Sequence, residues 1–170
     1  MAYGNQVKTD SITTTYTDEV YPLGSIYVES ADEVVAATDG TTSLGLQGDR
    51  TWMFVRAGVA VNAYDACVIN AIATPLVVRP TNASGSASYL FVGVAQNAIA
   101  LNSYGWIVIR GECAVKGAAS ITAGQLLDTN GGAVAGQLDD DTTLVQLVGR
   151  ALTGTNTPIT GTVAARIPLL

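Results

Sequence analysis

Phe91-Val92-Gly93-Val94-Ala95 is answered by Leu147-Val148-Gly149-Arg150-Ala151, and Gly105-Trp106-Ile107-Val108-Ile109-Arg110 by Gly161-Thr162-Val163-Ala164-Ala165-Arg166, both pairs 56 positions apart. One offset shared by two separated blocks implies a strand-turn-strand unit used twice. Ahead of each copy, Ala60-Val61-Asn62-Ala63-Tyr64-Asp65-Ala66-Cys67 matches Ser120-Ile121-Thr122-Ala123-Gly124-Gln125-Leu126-Leu127 more loosely at an offset of 60, as if a loop differed by four residues. Two copies are too few for a solenoid, so the expected product is an all-β, pseudo-symmetric barrel or sandwich. Its repeat units run over about 55–111 and 112–170.

Around these blocks the chain alternates short apolar runs with turn signals. Expected strands are Gly24 to Glu29, Thr51 to Ala57, Ala66 to Ala73, Leu76 to Arg79, Tyr89 to Ala95, Gly105 to Gly111, Cys113 to Lys116, Gln125 to Asp128, Thr143 to Leu152 and Gly161 to Leu169. Turns fall at Asp39-Gly40, Pro80 to Ser86 and Asn130-Gly131-Gly132. One short helix is expected, where Ser30-Ala31-Asp32-Glu33 has capping-box spacing ahead of Val34 to Ala37.

The first 23 residues differ from the body over 24–170. Thr9, Ser11, Thr13, Thr14, Thr15 and Thr17 make a polar, β-branched segment without an apolar face, which suits an extended arm and not a helix. Val7, Ile12, Thr14, Tyr16, Val20 and Tyr21 are the side chains with which such an arm would grip a neighbouring subunit or partner. Trp52 and Trp106 are the candidate interface anchors, since aromatic rings dominate protein contacts, and Trp106, which starts an alternating strand, suits a core or an inter-subunit place better than a ligand site.

Composition excludes much chemistry. The 170 residues contain no histidine, which removes the usual near-neutral proton shuttle, the commonest metal ligand and every Ser-His or Cys-His arrangement. Cys67 and Cys113 lie 46 apart in apolar surroundings, a spacing for neither a metal knuckle nor a redox pair; free buried thiols are expected, with a disulfide as the alternative. Asp139-Asp140-Asp141 lacks the spacers and glycine of a calcium loop and reads as a solvated acidic turn. Asn82-Ala83-Ser84 matches a glycosylation acceptor, a pattern too short to carry weight. No catalytic residue, cofactor or metal is expected.

Eight basic residues are scattered singly, and the net charge is −6, so no stripe for phosphates is available and nucleic acid is not an expected partner. Apolar runs such as Tyr89 to Ala95 are too short to span a bilayer, and Met1 to Asp10 lacks the apolar stretch of a secretory signal. The sequence reads as a soluble, non-exported product with no membrane partner. Arg110 and Arg166, related by the 56-residue offset, are expected to close the two copied strands.

Taken together, Val55-Arg56-Ala57-Gly58-Val59-Ala60-Val61-Asn62-Ala63-Tyr64-Asp65-Ala66-Cys67-Val68, Gly93-Val94-Ala95, Tyr104-Gly105-Trp106-Ile107-Val108-Ile109-Arg110-Gly111, Ile121-Thr122-Ala123-Gly124-Gln125-Leu126-Leu127 and Val148-Gly149-Arg150-Ala151-Leu152 resemble the capsid cement, or head decoration, proteins of tailed bacteriophages. The resemblance covers roughly Arg50 to Leu170 and rests on motif order, each motif being built of common small residues. It implies a virion protein, made in the host cytoplasm, that binds the outer surface of the expanded head as a homo-oligomer, a trimer by preference, and bridges subunits of the major capsid protein. No active-site residues come with it. Two other readings stand beside it: a tail, baseplate or fibre component that recognises host-surface glycan through Trp52 and Trp106, and a hydrolase with paired carboxylates about 5 to 9.5 Å apart.

Overall fold

A computed structural model describes residues 12–29, 49–71, 73–81, 90–118, 121–129, 134–140, 147–152 and 159–164. Nine strands occur among them: β1 (Ile26–Glu29), β2 (Arg50–Ala57), β3 (Ala66–Ala71), β4 (Thr74–Pro80), β5 (Phe91–Ala95), β6 (Tyr104–Val115), β7 (Leu126–Asp128), β8 (Leu147–Ala151) and β9 (Ile159–Ala164). The all-β class stands as expected. The helix expected after Ser30, the arm residue Val7, the glycosylation motif and Arg166 lie outside the described residues.

Burial explains the sequence texture. β2 reads as an almost unbroken apolar run because both its faces are covered: Met53, Val55 and Ala57 join one buried cluster, and Trp52 and Phe54 join another. β1 alternates instead, with Ile26 and Val28 exposed and Glu29 buried, as a strand covered on one face should.

The strands close on themselves. β2 pairs in parallel with β4, β4 antiparallel with β3, β3 with β5, β5 with β6, and β6 returns antiparallel to β2. This ring of five strands encloses Val55, Cys67, Ile69, Val78, Ile99 and Ile107. β1 extends β2 along its first half, where Ile26 faces Met53 and Glu29 faces Arg50.

A second ring grows from the same long strand. Two strands expected around Gly111 are one, β6, whose first half faces β2 while its second half faces β9. Gly111 makes the bend without a break: its φ is +113°, and a Cβ there would lie 2.9 Å from the Asp49 carbonyl oxygen. Beyond it, β9 pairs with β8 and β8 with β7, and the ring is completed by bridges from Asp128 to Asp139 and from Leu138 to Gly117.

The pairings of the two rings correspond position by position. Ala66 faces Val94 and Cys67 faces Gly93; 60 and 56 positions later, Leu126 faces Arg150 and Leu127 faces Gly149. Ala57 faces Val78, and 60 later Gly117 faces Leu138; Val68 faces Arg79, and 60 later Asp128 faces Asp139. The turn before each pair also matches. Tyr64 (φ +69°) donates its N–H to Ala95 O at 2.7 Å, and Gly124 (φ +90°) donates to Ala151 O at 2.8 Å. The last strand alone is out of step: Ala95 faces Ile107, but Ala151 faces Gly161, which is 54 positions on and not 56. The offset read from sequence therefore places β9 two residues away from its actual register.

Candidate partner-binding surfaces

The arm residues are best understood through what they touch. Tyr16 exchanges two backbone hydrogen bonds with Tyr104, at 2.9 and 2.8 Å, which lays the segment antiparallel against the start of β6. Gly24 N–H donates to Phe54 O at 2.8 Å and Phe54 N–H donates to Ser25 O at 2.9 Å, so the chain returns along β2. Between these anchors Tyr21 meets Phe54 edge-on at 5.3 Å and Trp106 at 5.4 Å, and Ile12 is buried in the same cluster. Where sequence suggests an arm free to reach a neighbour, residues 12–25 lie on their own body. The reason is local: Ile12, Tyr16 and Tyr21 supply an apolar face that the threonine-rich composition hides. Thr14 and Val20 remain exposed.

The two tryptophans sit inside. Trp52 is 2% exposed, and its Nε1–H donates to Glu29 Oε2 at 2.9 Å. The same carboxylate oxygen accepts from Arg50 Nε at 2.9 Å, while the guanidinium lies 5.4 Å from the Trp52 ring centroid. Glu29 thereby joins β1 to β2 through a buried ion pair. Trp106 is 8% exposed and packs against Phe54 at 5.2 Å, with Tyr21 and Tyr27 on its other sides. Neither indole offers an open face to a sugar ring.

A second ion pair, buried on its Asp65 side, ties the two rings. Asp65, fully buried, accepts from Lys116 Nζ at 3.1 Å through Oδ1 and from Asn62 N–H at 2.9 Å through Oδ2. Gly136 closes over it with φ +83°, and a Cβ there would fall 2.1 Å from Asp65 Oδ1. Gln96 adds a link of its own, its side-chain amide donating to Ala114 O at 2.9 Å and accepting from Ala114 N–H at 3.2 Å. These polar groups are structural fasteners, and none was singled out from sequence except by its place in the repeat. Asp140 of the acidic turn accepts from Gln125 Nε2.

Cys67 and Cys113 are both buried free thiols. Burial, and then the Asp65 charge, push the Cys67 thiol well above its ordinary range, against a smaller opposing effect of the Ala95 backbone. The folded state therefore keeps the proton while the unfolded chain loses it above about pH 8.5, so this thiol's contribution to stability is whole below that pH and declines above it by about 1.4 kcal/mol per pH unit. Unfolding midpoints in urea from pH 8 to 10 should show this fall, and Cys67→Ala should flatten it; an unchanged slope in the variant would assign the effect to other groups.

Among the described residues no group of three or more Cys, Asp or Glu is placed to hold a metal ion, and no helix is long and apolar enough to cross a membrane. What the surface does offer is aliphatic: Ile26 and Val28 on β1, Val59 and Leu101 on adjacent loops, and Leu126 and Leu147 on β7 and β8 are all exposed.

No protein-family model matches the chain, and a search of curated proteins finds no match. Among solved structures, the crystal structure of the head fiber gp8.5 N base of bacteriophage phi29 is similar, at 16% sequence identity and a TM-score of 0.45, over 70% of this chain and 97% of that one.

Proposed function

We propose that this chain is a non-catalytic structural protein of a tailed-phage head, a decoration protein that binds the outside of the expanded shell and bridges major capsid protein subunits. Its body is taken to be a duplicated β unit, and its working form a homo-oligomer, a trimer by family resemblance. The observation that carries the proposal is the order of the Gly- and Ala-rich motifs along the chain. Gly93 lies where a Cβ would be 2.4 Å from Val108 O, Gly111 bends β6, and Gly124 opens the turn before β7. These glycines are positions that the architecture physically needs.

The polar chemistry of the interior agrees with a fastening role. Glu29 with Arg50 and Asp65 with Lys116 are engaged in holding strands and rings together, and no histidine is present for proton transfer. A rigid body of this kind stabilises a shell by mass action: it binds the expanded lattice and not the contracted one, and so shifts the balance toward the former. Many copies per particle multiply modest contacts, and the acidic charge keeps the protein off nucleic acid.

Adding the purified chain to expanded shells that lack it should give saturable binding at a fixed ratio to shell subunits and raise the temperature at which the shells break. Absence of binding to expanded shells, or binding confined to the tail in intact particles, would overturn the proposal.

A further inference from the structure

We propose that residues 12–25 are a cap that stands in for a missing ring and keeps the first ring from stacking on a second copy of this chain. The proposal needs no shell and is independent of the reading above. It rests on positions that correspond between the rings at an offset of 60, where Phe54 answers to Ala114, Arg56 to Lys116 and Leu76 to Gly136. In the second ring all three places are covered by the first ring. Gln96 takes both backbone groups of Ala114, its amide donating to Ala114 O at 2.9 Å and accepting from Ala114 N–H at 3.2 Å. The Gly136 carbonyl accepts from Ala66 N–H at 2.8 Å, and Gly136 N–H donates to Thr81 O at 2.9 Å. Lys116 Nζ reaches Asp65 Oδ1 at 3.1 Å.

In the first ring, two of the same places meet the N-terminal segment. Phe54 N–H donates to Ser25 O at 2.9 Å, and Phe54 O accepts from Gly24 N–H at 2.8 Å. Leu76 lies against Gly24, where a Cβ would fall 3.2 Å from Leu76 Cδ1. Farther along the segment, Tyr16 and Tyr21 pack on the Phe54 ring, and Tyr21 reaches Trp106 as well. Only the ion pair has no equivalent. Arg56 Nη2 donates to Asn102 Oδ1 at 2.8 Å within its own ring, and its buried Nε has no hydrogen-bond partner among the described residues. The cap thus copies the backbone bonds and the apolar cover of the joint between rings without its charge fastener, which leaves it the more easily lifted of the two covers.

What the cap hides identifies the partner it keeps away. Phe54 and Trp106 are 0% and 8% exposed, and lifting residues 12–25 would open them together with the backbone groups of Phe54 and Tyr104. An aromatic patch beside unpaired strand groups is a template for association. The equivalent edge of the second ring is covered by a ring of this same chain. A ring of this fold is therefore the body that such an edge accepts, and in a solution of the pure protein another copy supplies it. The joint that serves as template brings together two unlike surfaces, so the contact is heterologous and grows chain upon chain.

The test is sedimentation velocity on the full chain, wild type beside two variants that lift the cap by different means. Tyr16→Asp/Tyr21→Asp removes its grip on the aromatic cluster. Gly24→Pro removes the hydrogen bond to Phe54 O and forbids the φ of +83° found there. With the cap open in about one wild-type molecule in ten or fewer, opening it for good raises the apparent affinity about tenfold or more. Both variants are therefore expected to gain mass at about one tenth of the concentration that wild type needs, or below, with the β-sheet circular dichroism unchanged. A synthetic peptide of residues 12–25 in excess should return them to the wild-type mass, and the same peptide with both Asp substitutions should not. Variants that stay folded at the wild-type mass, or association that the wild-type peptide fails to reverse, would overturn the proposal. So would loss of the β-sheet signal in both variants, which would make residues 12–25 part of the folding core and not a cover.

Discussion

Phe54→Ala is expected to cost about 3–5 kcal/mol, the range for removing a fully buried aromatic ring, and to lower the thermal midpoint by about 6–20 °C for a chain of this size. Phe54 is fully buried and lies at the meeting point of Tyr16 at 6.0 Å, Tyr21 at 5.3 Å, Tyr104 at 6.0 Å and Trp106 at 5.2 Å. Its loss would remove the ring against which residues 12–25 pack, while their backbone bonds to the strands remain. The specific signature is therefore an uncoupling: limited proteolysis should release the N-terminal segment before the rings are cut. Release together with the rings, or a cost below about 1 kcal/mol, would mean that the cap is not held by this aromatic cluster.

Arg50→Met is the second large effect. The guanidinium and the Glu29 carboxylate are both nearly excluded from water and 2.9 Å apart. Removing the cation leaves the Glu29 charge buried beside the Trp52 N–H alone, and breaking such a pair costs about 3–5 kcal/mol. Replacing both partners, as Arg50→Met with Glu29→Met, should recover most of that loss, because no uncompensated charge remains. Urea denaturation of the two singles and the double forms the cycle. Singles that simply add in the double variant would show that the two side chains act independently.

The parts of this architecture that were legible in the sequence, and those that were not, divide along physical lines. Apolar runs bounded by turn residues located the strands, since a strand needs only a local pattern. Gly93 and Gly149 marked corresponding places in β5 and β8, and Tyr64-Asp65 with Gly124-Gln125 marked the corresponding turns, where Tyr64 and Gly124 take positive φ. Ring closure was out of reach: that β6 returns to β2, and that Leu138 and Asp139 serve as a strand of the second ring, depends on pairings between distant residues. The merger of two expected strands into β6 was missed because a glycine in a strand pattern reads as a break, whereas Gly111 only bends it. For the surfaces, the sequence offered the arm and the tryptophans as contacts. Ile12, Tyr16, Tyr21 and both tryptophans are engaged within the chain, where burial of the same kind serves equally well, while Val20 stays exposed. The exposed pair Leu126 and Leu147 carries no signal of its own in the sequence; it stands out only when set against Ala66 and Phe91 in the folded first ring.

The central claim is that this protein works by contact, spanning joints between shell subunits. The most direct measurement is a reconstruction of the assembled particle at a resolution that traces the chain. The account predicts density for both rings on the outer surface of the head, with the aromatic cap of residues 12–25 on the same chain's first ring. Density for the chain only at the tail, or inside the shell, would contradict it.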